Sequence, residues 1–264
     1  MPKRFMNWSS GKDSALCLHR LIESGNAPEL LLTTISKEEQ RIGMHGTRRE
    51  LLEEQAAAIG IPLQITELSA STDHEAYNKL MYDTCMQLKS EGFDTAVFGD
   101  IFLEDLRNYR ETQLNEVGIN GEFPLWKNDT KTLIKEFVNS GLKSVIVAAL
   151  QEHFDEDFVG TEIDSSFISK LPEEVDPCGE YGEFHSFCYN GPIFKQEITF
   201  ERGDKVLKYY NKPKESKSEI RRPEPVEGRD QKSETLDSNE ESRTRSSDSD
   251  SRLGFYYLDL IPNN

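Results

Sequence analysis

The stretch whose reading decides the fold is NWSSGKDSALCLHRLIESG, residues 7–25. A short apolar run, Arg4-Phe5-Met6-Asn7-Trp8, gives way to small polar residues. Beyond them Ala15, Leu16, Leu18, Leu21 and Ile22 recur at the spacing of a helix that buries one face. Ser9, Ser10 and Gly11 place small side chains and backbone N–H groups where that helix begins, and helix N-termini with nested amides favour anions. Lys12 adds a mobile positive charge. Asp13 is out of place before phosphate alone, but in place if it holds a Mg²⁺ that the phosphates also bind. Ser14 either caps the helix or bonds a phosphate. The loop thus reads as a cradle for a nucleotide's phosphates, against the plainer reading of a strand–helix turn capped by Ser and Asp. It is neither a Walker loop nor a Gly-x-Gly-x-x-Gly fingerprint.

Working outward, short apolar segments alternate with longer amphipathic ones through residue 150. Strands are expected near 4–8, 30–36, 62–68, 94–99 and 144–149, and helices near 13–24, 47–59, 74–91, 103–117 and 130–140. Leu51, Leu52, Ala56 and Ile59 follow the helical period until Gly60 stops it. The run SVIVAAL (144–150) is apolar on both faces, as a central parallel strand is. This alternation predicts an α/β fold with a doubly wound, mostly parallel, Rossmann-like sheet covered by helices on both sides. Ligands of such sheets lie beyond the carboxyl ends of the strands, which singles out Ser9–Ser14, Ser36–Gly46 and Gly99 onward.

After residue 150 the texture changes: residues 151–210 carry 14 acidic and 5 basic side chains and are rich in turns. A smaller α+β region is expected there, with GPIFKQEITFERGDKVLKYY (191–210) forming two strands around the turn Glu201-Arg202-Gly203-Asp204. Residues 212–252 are nearly devoid of apolar side chains and are predicted to be disordered. LGFYYLDLI (253–261) returns as a strand. The expected organisation is a nucleotide-binding domain over 1–150, a substrate-binding region formed by 151–211 with 253–264, and a disordered insertion over 212–252.

The net charge is −17 and the mean hydropathy −0.65. A broad basic footprint is absent, so no nucleic-acid partner is expected; the local pairs Arg48-Arg49 and Arg107 with Arg110 suit a small anion. There is no apolar run of about 18 residues, which predicts no membrane span, and Met1–Phe5 lacks the apolar stretch of a signal peptide. Cys17, Cys85, Cys178 and Cys188 form no metal or disulfide framework, and a cytoplasmic location follows as the expectation.

Other candidates gather at the same sheet edge. Gly99 and Asp100 follow a strand, where the carboxylate either shares a Mg²⁺ with Asp13 or caps the next helix. Glu104, Arg107 and Glu111 share one helical face with Arg110 beside them, either gripping a carboxylate or phosphate or forming a salt-bridged solvent face. His45 and the strand end Thr34, Ile35 and Ser36 lie by the nucleotide, the strand end mainly through its backbone. In CGEYGEFHSF (178–187), Glu180, Glu183 and His185 gather within six residues, with Glu183 and His185 on one strand face. Groups of these types can bind a ligand or take up a proton; the alternative is an acidic surface hairpin.

The opening loop resembles the Ser-Gly-Gly-x-Asp-Ser signature of the ATP pyrophosphatases (PP-loop enzymes), with Ser10 standing where the signature has its first glycine. MHGTRRELLEEQAAAIGIPL (44–63), FGDIFLEDLRNYRE (98–111), FPLW (123–126), DPCGEYGEFHSF (176–187) and NGPIF (190–194) follow in order. Together with YYLDLIP (256–262) they resemble the diphthine–ammonia ligase family of that superfamily, in wording closer to its bacterial branch. Only 212–252 has no counterpart. The resemblance implies a fold of the adenine nucleotide α-hydrolase (HUP) type and an amide synthesis. ATP adenylates a substrate carboxylate with release of pyrophosphate, and ammonia then displaces AMP. In eukaryotic and archaeal members the carboxylate belongs to diphthine, a modified histidine of an elongation factor; bacteria lack it.

The resemblance assigns ATP and Mg²⁺ to Ser9, Ser10, Gly11, Lys12, Asp13, Ser14, Ile35, His45 and Gly99, with Asp13 and Asp100 as metal ligands. It assigns catalysis to Asp13, Asp100, Glu183 and His185, and the carboxylate acceptor to Glu104, Arg107, Arg110 and Glu180. Three other readings compete. A tRNA-modifying enzyme of the same superfamily is opposed by the acidic balance. A non-hydrolysing nucleotide sensor would need none of the acidic residues, and an interaction protein would rest on 212–252 alone.

Overall fold

The computed structural model describes residues 2–69, 72–211 and 252–263. Five strands, β1 (Lys3–Asn7), β2 (Leu30–Ser36), β3 (Leu63–Leu68), β4 (Phe93–Val97) and β5 (Asn120–Glu122), form a parallel sheet in the order β3-β2-β1-β4-β5. Strand alternation sorts neighbouring residues onto opposite faces. Met6, Leu31 and Val97 join the core beneath α1 (Lys12–Glu23) and α2 (Arg49–Ile59). Phe5, Leu32 and Ala96 point the other way, toward α3 (His74–Ser90) and α4 (Glu104–Glu116). Each large side chain so buried contributes on the order of 1.5–3 kcal/mol. The helices stop and start where the chain signals it: Gly60 takes φ +83° after α2, and Asp73 accepts from the Ala76 N–H to open α3. Helices on both faces of a parallel sheet realise the expected doubly wound architecture. The order reverses between β1 and β4, which sets the switch point above the residues 8–14 loop.

The second sheet departs from expectation. β6 (Lys143–Leu150), the SVIVAAL strand, is not a parallel strand of the first sheet. It lies antiparallel between β7 (Phe184–Asn190) and β9 (Arg252–Pro262), with β8 (Phe200–Asn211) outside β9. Its two apolar faces have a different cause: Val145, Ile146, Val147 and Ala149 pack on the main core while Ala148 meets Phe255 and Tyr257. An unbroken apolar run reports burial on both sides, not strand direction. β8 is also one strand rather than two. Arg202–Lys205 is a register shift in the ladder with β9, so the Glu-Arg-Gly-Asp segment bulges without reversing the chain. α5 (Thr130–Asn139) leads into β6, and Arg20 of α1 grips Glu136 of α5 at 2.7 Å, joining the two halves. The expected disordered insertion, 212–252, lies outside the described residues except for Arg252, which opens β9. No described helix is long and apolar enough to cross a membrane.

Candidate active site

β1 ends at Asn7, and the chain turns through Trp8–Gly11 into α1. Ser10 is the tight point: its φ is +68°, a left-handed conformation that costs a side-chain-bearing residue about 1 kcal/mol and glycine nothing. The surroundings hold it there. Ser10 Oγ lies 2.9 Å from Thr47 Oγ1, and its carbonyl accepts from the Cys188 N–H at 2.9 Å and from Gln55 Nε2 at 3.1 Å. Gln55 is wholly buried, accepts from the Trp8 indole at 2.9 Å and donates to the Cys188 carbonyl. Ser9 and Ser14 join their hydroxyls at 2.6 Å. Ser14 thus braces the loop, and the helix is capped at Gly11 without a side-chain bond. Of the first-turn amides that no helical carbonyl can reach, the Lys12 N–H goes to Ser186 Oγ at 3.1 Å. Both Gly11 and Gly99 permit close approach: a Cβ on Gly11 would fall 2.8 Å from His45 Cε1, and one on Gly99 would fall 3.2 Å from the Asp13 backbone.

Above this loop lies a cavity of about 370 Å³, walled by Ser9 and Gly11–Ser14, by Thr33 and Thr34 of β2, by Gly99 and Asp100, and by the turn Cys178–Glu180 with His185 and Ser186. That size suits a small-molecule ligand. A shallower hollow of about 560 Å³ between α2 and β3 offers only Arg49 and Glu53 as charges, and these pair with each other.

The cavity's charges are tethered. Lys12 is not mobile: its side chain is 4% exposed, and Nζ reaches Asp13 Oδ2 at 2.6 Å and the Cys178 carbonyl. Burial alone would lower the Lys12 ammonium, but Asp13 and its other acidic neighbours leave it raised. Asp13, 31% exposed, is raised by burial and by Asp176 and Asp100, against the pull of Lys12. Asp100 faces Arg110, with Oδ2 2.7 Å from Nε, and Arg110 also lies 4.3 Å above the Phe98 ring. The Nε–Oδ2 contact is Coulombic rather than an aligned hydrogen bond, and Arg110 Nη2 donates to Asp100 Oδ1 at 3.3 Å. Burial and then Asp13 push Glu180 up to about 7, although the Ile101 and Phe102 amides donate to it. The His45 and His185 rings lie against each other, centroids 4.6 Å apart and tilted by 38°. Burial holds His45 down at about 4 and His185 well below its ordinary value, so both rings are neutral at pH 7.

The stretch 3–121 matches the model of the diphthamide synthase N-terminal domain, and 129–217 that of the diphthamide synthase C-terminal domain. The chain belongs to the diphthamide synthase family. Among its relatives, the diphthine–ammonia ligase of Danio rerio is 26% identical over 167 residues, covering 58% of this chain and 66% of the relative. The Homo sapiens diphthine–ammonia ligase is 22% identical over 222 residues, 75% of this chain and 83% of that protein. A Schizosaccharomyces pombe relative of the same name matches over 36% of this chain but 17% of its own length. The two matched stretches meet at the loop Ser9–Ser14, because Ser186 and Cys188 of the C-terminal half bond Lys12 and Ser10 of the N-terminal half.

Several expected site residues lie elsewhere. Glu104 pairs with Lys127 at 3.1 Å on the surface, both more than 60% exposed. Arg107 sits 4.7 Å from the Phe123 and Trp126 rings and pairs with Glu111. Neither lines the cavity, whereas Arg110, one turn on, does. The basic pair Arg48-Arg49 is consumed internally, Arg48 by Asp259 and Arg49 by Glu53 and Glu67. Glu183 is buried and turned into its own loop, accepting from the Asp176 and Tyr181 amides, so it shares no face with His185 at the cavity. Of the strand end Thr34 lines the cavity, together with Thr33, while Ile35 packs its side chain in the core beside α2. Burial pushes all four thiols up, Cys85 to about 11 and Cys188 to about 12, which favours the protonated thiol at each. Gln55, Thr47 and Ser186 were missed. Gln55 alone left a signal, a polar residue on the buried stripe of Leu51, Leu52, Ala56 and Ile59.

Proposed function

We propose that the chain is an ATP-dependent, AMP-forming amide ligase that activates a carboxylate and transfers ammonia to it. The observation that carries this reading is the fixing of the acidic 176–186 turn over the phosphate loop by Ser186 and Cys188, which gives one cavity a phosphate wall and an acidic wall. A polyphosphate lies along Ser9–Ser14, and the acceptor carboxylate reaches the α-phosphorus from the side of Arg110 and Glu180. A carboxylate oxygen bonds to that phosphorus as the bond to the bridging oxygen breaks and pyrophosphate leaves. Ammonia then bonds to the acyl carbon, AMP departs with the C–O electron pair, and a proton passes to a base. Glu180, ionising near neutrality, has the right affinity for that proton. The neutral His45 and His185 rings close the cavity beside Gly11.

Among the described residues, no three His, Cys, Asp or Glu side chains gather to hold a metal by themselves. Mg²⁺ usually takes one or two carboxylates with the oxygens of substrate phosphates, so Asp13, with Asp100 as the second carboxylate, fits an ion that arrives with a polyphosphate. When bound, the ion supplies charge neutralisation on the departing pyrophosphate. The relatives are named for diphthine, which makes a diphthine-type carboxylate the first acceptor to try.

The test is to incubate the protein with ATP, Mg²⁺, ammonium and candidate carboxylates and to identify the nucleotide product. AMP with pyrophosphate, lost in Asp13→Ala, is the expected result. ADP with phosphate overturns the mechanism, and tight binding without turnover favours a nucleotide sensor.

A further inference from the structure

The β2–α2 connection makes a folded excursion over 37–48, closed by the bridges Ser36↔Arg41 and Arg41↔Arg48 and by the Ile42 N–H to the Thr47 carbonyl at 2.9 Å. Two of its side chains touch the phosphate loop. Thr47 Oγ1 meets Ser10 Oγ at 2.9 Å, and the His45 ring occupies the space a Gly11 side chain would need, its Nδ1 3.2 Å from the Ser186 carbonyl. Ile42 roots the excursion in the core, yet Arg41 and Arg48 lie together on it and repel each other. A further restraint comes from the far end of the chain. Asp259 of β9 accepts from Arg41 Nη1 at 2.9 Å, from Arg48 Nε at 3.0 Å and from Arg48 Nη2 at 2.6 Å. Arg41 Nη1 also donates to the Gly46 carbonyl at 2.9 Å, so one guanidinium joins Asp259 to the residue after His45. Gly46, at φ +67°, leaves its Cα side against the Tyr257 ring. Burial would raise the Asp259 carboxyl, yet the two guanidiniums hold it down at about 2. Neither family-model match reaches β9.

We propose that Asp259 is a positioning residue of the nucleotide site: by gathering Arg41 and Arg48 it seats the 37–48 excursion, and through it His45 and Thr47, against the loop Ser9–Ser14. This rests on the nucleotide reading of that loop. A carboxylate that merely fastened β9 to the first sheet would affect stability alone. A positioning residue also sets the affinity for the phosphates, and it does so through His45 and Thr47.

The experiment measures Mg²⁺-α,β-methylene-ATP binding by calorimetry and the His45 ring signal by NMR, the latter assigned by its loss in His45→Gln. In Asp259→Asn the His45 signal should shift and the analogue affinity should fall about tenfold, as when one partner of a partly buried charge cluster is neutralised. The same change made in the His45→Ala/Thr47→Val chain should cost no more than about twofold, since the groups it positions are already gone. A folded Asp259→Asn protein with an unmoved His45 signal and affinity within about twofold overturns the proposal, as does an undiminished loss in the double-variant chain. If Asp259→Asn does not fold, Arg48→Gln replaces it, leaving Asp259 its bond to Arg41, and the same outcomes apply. If the native protein does not bind the analogue, the nucleotide reading fails, and the His45 signal alone decides whether Asp259 seats the excursion.

Discussion

The loop Ser9–Ser14 and the turn Asp176–Ser186 face each other across one cavity, and both are glycine-containing runs of polar residues. They use those residues in opposite ways. The first spends its hydroxyls on itself and on its neighbours, Ser9 on Ser14 and Ser10 on Thr47, and so turns a stiff backbone toward the ligand. The second spends its carboxylates on its own amides: Asp176 takes the Cys178 and Glu180 N–H groups, and Glu183 takes those of Asp176 and Tyr181. What remains for the proposed chemistry is Asp13 on one wall and, on the other, Glu180, of which only Oε1 takes amides, those of Ile101 and Phe102. A carboxylate's work is set by whether donors of the protein have already claimed both its oxygens, and residue type alone does not say.

The sharpest way to break this contrast is Asp13→Asn. If Asp13 is the chemical carboxylate of its wall, AMP formation should fall by about 10²–10³, the scale of losing one electrostatic stabiliser of a transition state. A rate within a few-fold of native would remove Asp13 from the mechanism.

Glu183→Gln tests the opposite assignment. Two amides lose half of a buried acceptor, so unfolding by denaturant should show a loss of about 1–3 kcal/mol. Activity per folded molecule should hold.

Glu180→Gln sharpens the comparison through pH. Its folded-state value, about 7, stands above its ordinary value of 4.5, so the native state binds more protons between these limits. Stability therefore falls as pH rises from about 4.5 to 7, by at most roughly 3 kcal/mol, and Glu180→Gln should remove that part of the slope. The amidation rate, by contrast, should climb through about pH 7 in the native protein as Glu180 ionises, and Glu180→Gln should flatten that rise.

Ser10→Gly would relieve the left-handed strain but lose the bond to Thr47, so a thermal melt should move stability by no more than about 1 kcal/mol. The smallest effect belongs to Glu104→Ala. Its pair with Lys127 is solvated, and both stability and activity should stay within about 0.5 kcal/mol of native.

By itself the sequence determined the alternation of β and α through α5, the turn Ser9–Ser14 into α1 and the return of the chain in β9. Those features rest on local period, capping and turn chemistry, which neighbours in sequence decide. β5 escaped because three residues carry no period. The direction of β6 was left to tertiary structure, since two-sided burial is the same in parallel and antiparallel sheets. So was the sorting of Arg107 from Arg110: three residues apart on one helix, one ends over Phe123 and Trp126 and the other over the cavity. Gln55 holding Ser10, and Asp259 holding the excursion that carries His45, join residues 45 and more than 200 positions apart. Such pairings exist only once the sheets have packed, because a hydrogen bond specifies its partner by position in space and leaves no periodic trace along the chain.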